Sequence, residues 1–313
     1  MKDGPAITAP VPYFGGKRTL APLIAEELGK HSAYWEPFCG SMAVLFAKPP
    51  SAHETVNDLY GDLINLAMVL ASPRWRELYE RLQRTICCEA IFRQAKAAIA
   101  EEPSSLPVTC DAVDDANVAR AYYYFLIAWV GRNGVAGTRR VNYQIAVRWT
   151  PGGGHGGTRV ESAVESIPWF HRRLRRVLIL CRDAFGVLAK IEDVEGVALY
   201  VDPPYLMHTR GSGRTSKRGG GGSNYLHDFE AEDHARLAEA LRRFEKARVV
   251  VSYYDDPQLA ELYPGWTMRR IKATKNLHVQ NRRGAKRADA PEVLLINGRS
   301  FAPEFGEAEP RLF

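Results

Sequence analysis

The chain has 313 residues, 46% of them hydrophobic and 25% charged, a globular balance and a length that suits one α/β domain carrying an inserted module. It contains no run of roughly 18 apolar residues and its opening MKDGPAITAPVPY has no apolar stretch, which excludes a transmembrane helix and a signal peptide and points to the cytoplasm. Five cysteines without metal-ligand spacing argue against a disulfide framework and against a metal site, and the net charge of +6 is mild.

In chain order, YFGGKRTLAPLIAEEL opens with a glycine turn, and the spacing of Leu20, Leu23, Ile24 and Leu28 predicts a helix. SAYWEPFCGSMAVLFA reads as a short strand, a tight glycine turn and a second helix. ETVNDLYGDLINLAMVL repeats the pattern, with a strand ending at Asn57-Asp58. Two such units in succession begin a parallel α/β sheet. From Ser72 to Trp169 the rhythm changes to helical stretches, WRELYERLQRTICCEAIFRQAKAAIAEE and ANVARAYYYFLIAWVG, followed by the Gly-rich polar segment TPGGGHGGTR. The α/β rhythm returns with WFHRRLRRV, the strand VLILCRD, FGVLAKI and the strand VALYVDPPY. A long Gly/Ser/Arg loop from His208 to Ser223, a helix (EDHARLAEALRRF), a strand (ARVVVSYY) and a strand pair around TMRRIKA and EVLLING complete the chain. The expected division is a catalytic domain from 1–71 and 170–313, with 72–169 inserted.

Positive charge is uneven. Arg132, Arg139, Arg140, Arg148, Arg159, Arg172, Arg173, Arg175 and Arg176 are opposed only by Glu161 and Glu165, and a second run extends from Arg269 to Arg287. Such clusters attract phosphates, and they also occur as plain solvated surface.

The strongest chemical signal is Asp202-Pro203-Pro204-Tyr205, directly after an apolar strand. In an open α/β sheet that is the carboxyl edge, where ligands bind. A carboxylate and a backbone carbonyl there can accept the two hydrogens of an amino group whose lone pair is delocalised into a ring. The prolines stiffen the turn, and the aromatic ring can stack on an extruded base. Tyr13-Phe14-Gly15-Gly16-Lys17 combines glycines for close backbone approach with a cation suited to a carboxylate. Glu36-Pro37-Phe38-Cys39-Gly40-Ser41 exposes turn amides to a polar ligand, but it is not the GxGxxG fingerprint, so a nicotinamide dinucleotide is unsupported. Asp58 can chelate a ribose diol or cap the next helix. Asp183 and Phe185 can hold an adenine ring, or are a turn acid and a core ring.

The order YFGGK, EPFCGS, ND, helical insert, RDAF, DPPY resembles the Dam-type N6-adenine DNA methyltransferases from about Pro10 to Asn297. DPPY with EPFCG is characteristic of amino-directed methyltransferases, where SPPY would point towards cytosine. The resemblance implies a Rossmann-like α/β sheet that binds S-adenosylmethionine (SAM), with a mostly helical target-recognition insert. It implies that Tyr13, Gly15, Gly16 and Lys17 contact SAM, with Lys17 near its methionine carboxylate. The turn of Glu36, Phe38, Cys39, Gly40 and Ser41 would wrap the methionine part, Asp58 the ribose, and Asp183 and Phe185 the cofactor adenine. Asp202, Pro203, Pro204 and Tyr205 would form the catalytic tetrad, Asp202 also lying close to SAM and Tyr205 stacking on the flipped adenine. The segment Gly131–Tyr143 is similar to the family's DNA-facing Asn-Gly segment, which assigns Arg132, Asn133, Arg139, Arg140 and Asn142 to DNA. Two positions depart from the pattern: Tyr13 stands where Trp is usual, and Ser41 where Gly is usual.

The implied reaction is direct in-line attack on the SAM methyl, without metal, and Cys39 in the cofactor turn is not a nucleophile. The implied partner is double-stranded DNA in a bacterial or phage-infected cell; a monomer and pairing with a restriction nuclease both stay open. The rival readings are an amino-methyltransferase acting on cytosine, RNA or protein, and a DNA-binding protein that kept the fold without catalysis.

Overall fold

A computed structural model describes residues 7–13, 15–101, 115–131, 145–147, 156–205, 229–271 and 291–301. The two strand–turn–helix units are present: α1 (Ala21–Leu28), β1 (Ala33–Glu36), α2 (Ala43–Ala47), β2 (His53–Asn57) and α3 (Gly61–Ala71). Then follow α4 (Trp75–Gln83), α5 (Glu89–Glu101), α6 (Asp115–Val130), α7 (Gly156–Glu165) and α8 (Ile167–Leu174). The α/β part resumes with β3 (Leu178–Leu180), α9 (Ala184–Leu188), β4 (Val197–Val201), α10 (Ala231–Arg242) and β5 (Arg248–Tyr254). It ends with α11 (Gln258–Leu262), β6 (Thr267–Ile271) and β7 (Glu292–Ile296).

The seven strands form one sheet in the order β3-β2-β1-β4-β5-β7-β6. β1 to β5 are parallel, and β7 runs antiparallel to both its neighbours. From β1 the chain winds outward through β2 to β3, then returns to place β4 on the other side of β1. The winding reverses between β1 and β4, and a crevice opens there at the carboxyl ends of the strands.

β4 (VALYV) is buried at every position, as a central strand covered on both faces must be. Its side chains alternate between two cores. Ala198 and Tyr200 join Val250, Leu294 and Ile296 on one face; Val197, Leu199 and Val201 join Val249, Val251 and Val293 on the other.

The helical stretch after α3 does not stand on a core of its own. Leu78, Phe92, Phe125 and Trp129 share one hydrophobic cluster with Ile24, Leu45 and Leu66. α6 is buried on nearly all sides, and its Trp129 indole donates to Pro10 O at 2.8 Å, tying the N-terminal lead to this helix. Arg120 of α6 forms a two-pronged ion pair with Asp62 of α3, at 2.6 and 3.2 Å, with both side chains buried.

Several elements differ from expectation. The first predicted helical stretch is two helices, broken at residues 84–88, and α7 starts at Gly156 inside the segment expected to be loop. α11 is additional. Among the described residues no helix is long and apolar enough to cross a membrane.

The basic runs are not uniform phosphate-facing surfaces. Arg173 pairs with buried Glu54, Arg269 with buried Glu27 at 2.6 Å, and Arg270 with Asp255 at 2.8 Å. These cations are taken by carboxylates distant in sequence. Arg172, Arg175 and Arg176 are exposed, but they precede the amino end of β3, on the opposite edge from the crevice. Arg132, Asn133, Arg139, Arg140 and Asn142 lie outside the described residues, as do the His208–Ser223 loop and most of the second basic run.

Candidate active site

The loops after β1, β2, β3 and β4 and the Tyr13–Lys17 lead build the crevice. Asn57, at the end of β2, clamps the loops after β1, β2 and β3 together. Its side-chain amide donates to Pro37 O and Arg182 O, both at 2.9 Å, and its Oδ1 accepts from the Arg182 amide at 3.0 Å. The backbone adds Cys39 N to Asn57 O at 2.8 Å. Asn57 is buried, so these bonds form a closed polar set between the strand ends.

The turn after β1 requires glycine. Gly40 has φ +44°, and a Cβ there would sit 3.3 Å from the Tyr13 ring, so the ring packs directly on the turn backbone. Gly15, with φ +73°, brings its carbonyl to Lys17 Nζ at 2.7 Å. Asp58 holds the same turn from the other side. Its Oδ2 accepts from the Gly40 amide at 2.8 Å and its Oδ1 from the Tyr60 amide at 3.0 Å. Asp58 is therefore not a simple cap of α3; it ties the β2 loop to the β1 turn.

One cavity occupies the crevice. Tyr13, Gly15, Gly16, Lys17, Glu36, Phe38, Cys39, Gly40, Ser41 and Asp58 line it, together with Asp183, Phe185, Asp202, Pro203 and Pro204. Asp183 caps α9, its Oδ1 accepting from the Gly186 amide at 3.1 Å. The Phe185 ring lies parallel to Phe229, with centroids 6.0 Å apart, and the Arg236 guanidinium sits 3.9 Å from its centre.

Lys17 and Tyr205 meet partners within the protein. Lys17 already has a carboxylate partner within the protein: its Nζ is 3.0 Å from Asp202 Oδ2, and only 4% of the side chain is exposed. The same ammonium lies 4.7 Å from the centre of the Tyr205 ring. Tyr205 is 5% exposed, packs edge-on against Tyr254 at 4.5 Å, and does not line the cavity. Stacking on a base requires this ring to turn out of its packed position.

Glu36 is buried beneath the turn and accepts a hydrogen bond from the Tyr34 hydroxyl at 2.9 Å. Burial pushes its carboxyl up to about 8, against the Tyr34 hydrogen bond and with help from the Asp202 charge. Its unfolded-state value is that of an ordinary carboxylate. The folded protein therefore binds the proton more tightly, and this contribution to stability declines as pH rises from that range to about 8. Burial, then the Asp58 charge, pushes the Cys39 thiol well above its usual value, which leaves no thiolate for nucleophilic work.

The motifs missed Asn57 as a clamp, and also Tyr60, Arg182, Phe229, Asp233 and Arg236, which line the cavity. The Asn-Asp pair at a strand end was the one readable sign of the clamp. Arg236 and Asp233 sit in a helix whose pattern is merely amphipathic, so nothing in their spacing marks them.

A family model described as D12 class N6 adenine-specific DNA methyltransferase matches residues 13–279. The chain belongs to this family. The match runs from Tyr13 through the crevice loops and the DPPY turn, and so takes in every cavity residue named above. No curated protein matches the chain. Among 27 matching chains of solved structures is SMU.472, solved in complex with SAH. It is 10% identical, with a TM-score of 0.33 over 90% of this chain and 52% of that one, so the D12 family chain spans about half its length.

Proposed function

We propose that this chain transfers the methyl group of SAM to the N6 amino group of adenine in double-stranded DNA. The observation that carries this reading is the convergence of Asp202, on the rigid Pro-Pro turn after β4, with the Tyr13–Lys17 and Glu36–Ser41 loops on one cavity, in a chain of the D12 class family. The donor set suits SAM. Asp58 and Asp183 offer carboxylates at the ends of two neighbouring strands, Phe185 offers a ring face, and the Gly40 turn, with the Tyr13 ring packed on it, lines the same cavity. When bound, SAM supplies an electrophilic methyl group.

The chain's own work is positioning. Asp202 accepts a hydrogen from the target amino group and shifts electron density onto its nitrogen. The Pro203-Pro204 turn holds that acceptor in place, which favours direct attack over any covalent enzyme–base step. In the protein alone, Lys17 balances the Asp202 charge. Residues 72–169 serve as the target-recognition insert, with Arg132, Asn133, Arg139, Arg140 and Asn142 facing DNA. Arginine matches guanine and asparagine matches adenine in the major groove, and further arginines reading only phosphate would orient without specifying. Incubating the protein with SAM and plasmid DNA, then mapping modified bases by sequencing, tests the activity. N4-methylcytosine, or no modified base, rejects it.

Lys17→Ala and Asp58→Ala are expected to weaken SAM binding by about 10–100-fold, the usual range for losing a hydrogen bond to a charged group. Calorimetry with SAM checks this; unchanged affinity in both variants removes the cofactor assignment of these loops. Glu36 adds a pH dependence. SAM carries a sulfonium and an ammonium, and a cation near a buried carboxyl favours its ionised form. Binding near neutral pH should therefore release a proton, and affinity should tighten as pH rises towards about 8. Heats of binding in two buffers of different ionisation enthalpy report that proton. Identical heats would mean that Glu36 does not sense the cofactor.

A further inference from the structure

The two oxygens of Asp202 have different partners. Oδ2 faces Lys17 at 3.0 Å, while Oδ1 accepts a hydrogen bond from Ser252 Oγ at 2.8 Å. Ser252 lies in β5 and is fully buried; its Oγ is 2.9 Å from the hydroxyl of Tyr200, itself buried in β4.

Strand geometry makes this meeting. Side chains two apart on a strand share a face, so Tyr200 and position 202 point the same way. β4 and β5 pair in parallel with Tyr200 opposite Val250 and Val201 opposite Val251. One step further along that register sets Ser252 beside Asp202.

Donor counting fixes the direction of the chain. An ionised carboxylate only accepts, so the single Ser252 proton goes to Asp202. The Ser252–Tyr200 contact must then be made with the Tyr200 proton. Burial, then the nearby Asp202 charge, pushes the Tyr200 hydroxyl well above its usual value, so that proton stays in place. The relay runs Tyr200 to Ser252 to Asp202. It anchors Oδ1 from the sheet, while Lys17 draws on Oδ2 from the cofactor side. Two anchors set the plane of the carboxylate, whereas one would let it swing towards Lys17.

We propose that Ser252, supported by Tyr200, is a positioning residue that fixes the Asp202 carboxylate so that Oδ2 is presented to the target amino group. The proposal rests on the reading of Asp202 as the amino-group acceptor.

The test is turnover and SAM affinity of Ser252→Ala, Ser252→Thr, Tyr200→Phe and the double variant S252A/Y200F, on plasmid DNA that the wild type methylates. S252A should lose about 10–100-fold in kcat, the scale of a misplaced catalytic group, with KM for DNA and SAM affinity within about twofold of wild type. S252T should recover most of that loss through its hydroxyl. Y200F should lose less than S252A, and the double variant should be no slower than S252A alone, because the relay is one path. Wild-type turnover in S252A, or multiplicative losses in the double variant, overturns the proposal. Should S252A not fold, Y200F decides: reduced kcat at unchanged SAM affinity supports the relay, and unchanged kcat rejects it. A wild type that methylates no adenine rejects the activity reading instead. The relay is then judged on crystal structures of the wild type and S252A, where a rotated Asp202 carboxylate supports it and an unmoved one overturns it.

Discussion

Asp202→Ala is expected to lower methyl transfer by about 100–1,000-fold, the usual effect of removing one preorganised group that stabilises developing charge. The side chain is 20% exposed, follows a fully buried strand, and is held by Ser252 on one oxygen and Lys17 on the other. Truncation removes the acceptor without opening the core, so folding should survive. It also frees the Lys17 ammonium, which keeps its bond to Gly15 O and its place over Tyr205. SAM affinity in the variant is therefore expected to change far less than turnover. Single-turnover methylation with labelled SAM separates the two. Near-normal turnover by D202A would remove the DPPY turn from the chemistry, whatever the family.

The largest effect on stability is expected at Arg120. Its guanidinium meets Asp62 in two hydrogen bonds inside the α3–α6 interface, and both side chains are nearly inaccessible to water. The Tyr60 hydroxyl donates to Asp62 as well, at 3.3 Å. Arg120→Met leaves a buried carboxylate with no cation, a change that typically costs about 3–5 kcal/mol. The joint change of Arg120→Met with Asp62→Leu should cost clearly less, because no charge is then stranded in the interior. Urea unfolding of the three proteins measures both quantities. A single variant within about 1 kcal/mol of wild type would mean that α6 packs on α3 without needing the pair. The outcome bears on function, because α6 anchors the proposed recognition insert to the helix that follows the Asp58 loop.

The amphipathic and apolar runs carry local information, and much of the architecture could be read from them. The strand–turn–helix units at 33–47 and 53–71, the strand that precedes Asp202 and the strand that ends in Tyr254 needed only periodicity and a terminating glycine, proline or acid. For the same reason the candidate cavity was readable. In a parallel sheet the chemistry sits on the loop after each apolar strand, so a motif that follows such a strand is already placed at the carboxyl edge. All the cofactor-side residues named from the motifs line one cavity.

What local pattern could not decide was pairing across long separations. Arg173 and Arg269 read as members of basic runs, yet Glu54, 119 residues away, and Glu27, 242 residues away, take their charges. The resemblance implied that Tyr205 stacks on the flipped base, and in the protein alone Lys17 and Tyr254 pack its ring away from the cavity. Ser252 carried no sign in the sequence beyond its place in the strand ARVVVSYY, and only the parallel register of β4 and β5 sets it on Asp202. The physical reason is common to all three. Helix and turn preferences are set by neighbours a few residues apart, whereas the partner of a buried charge or hydroxyl is chosen by whichever distant group the assembled sheet brings within about 3 Å.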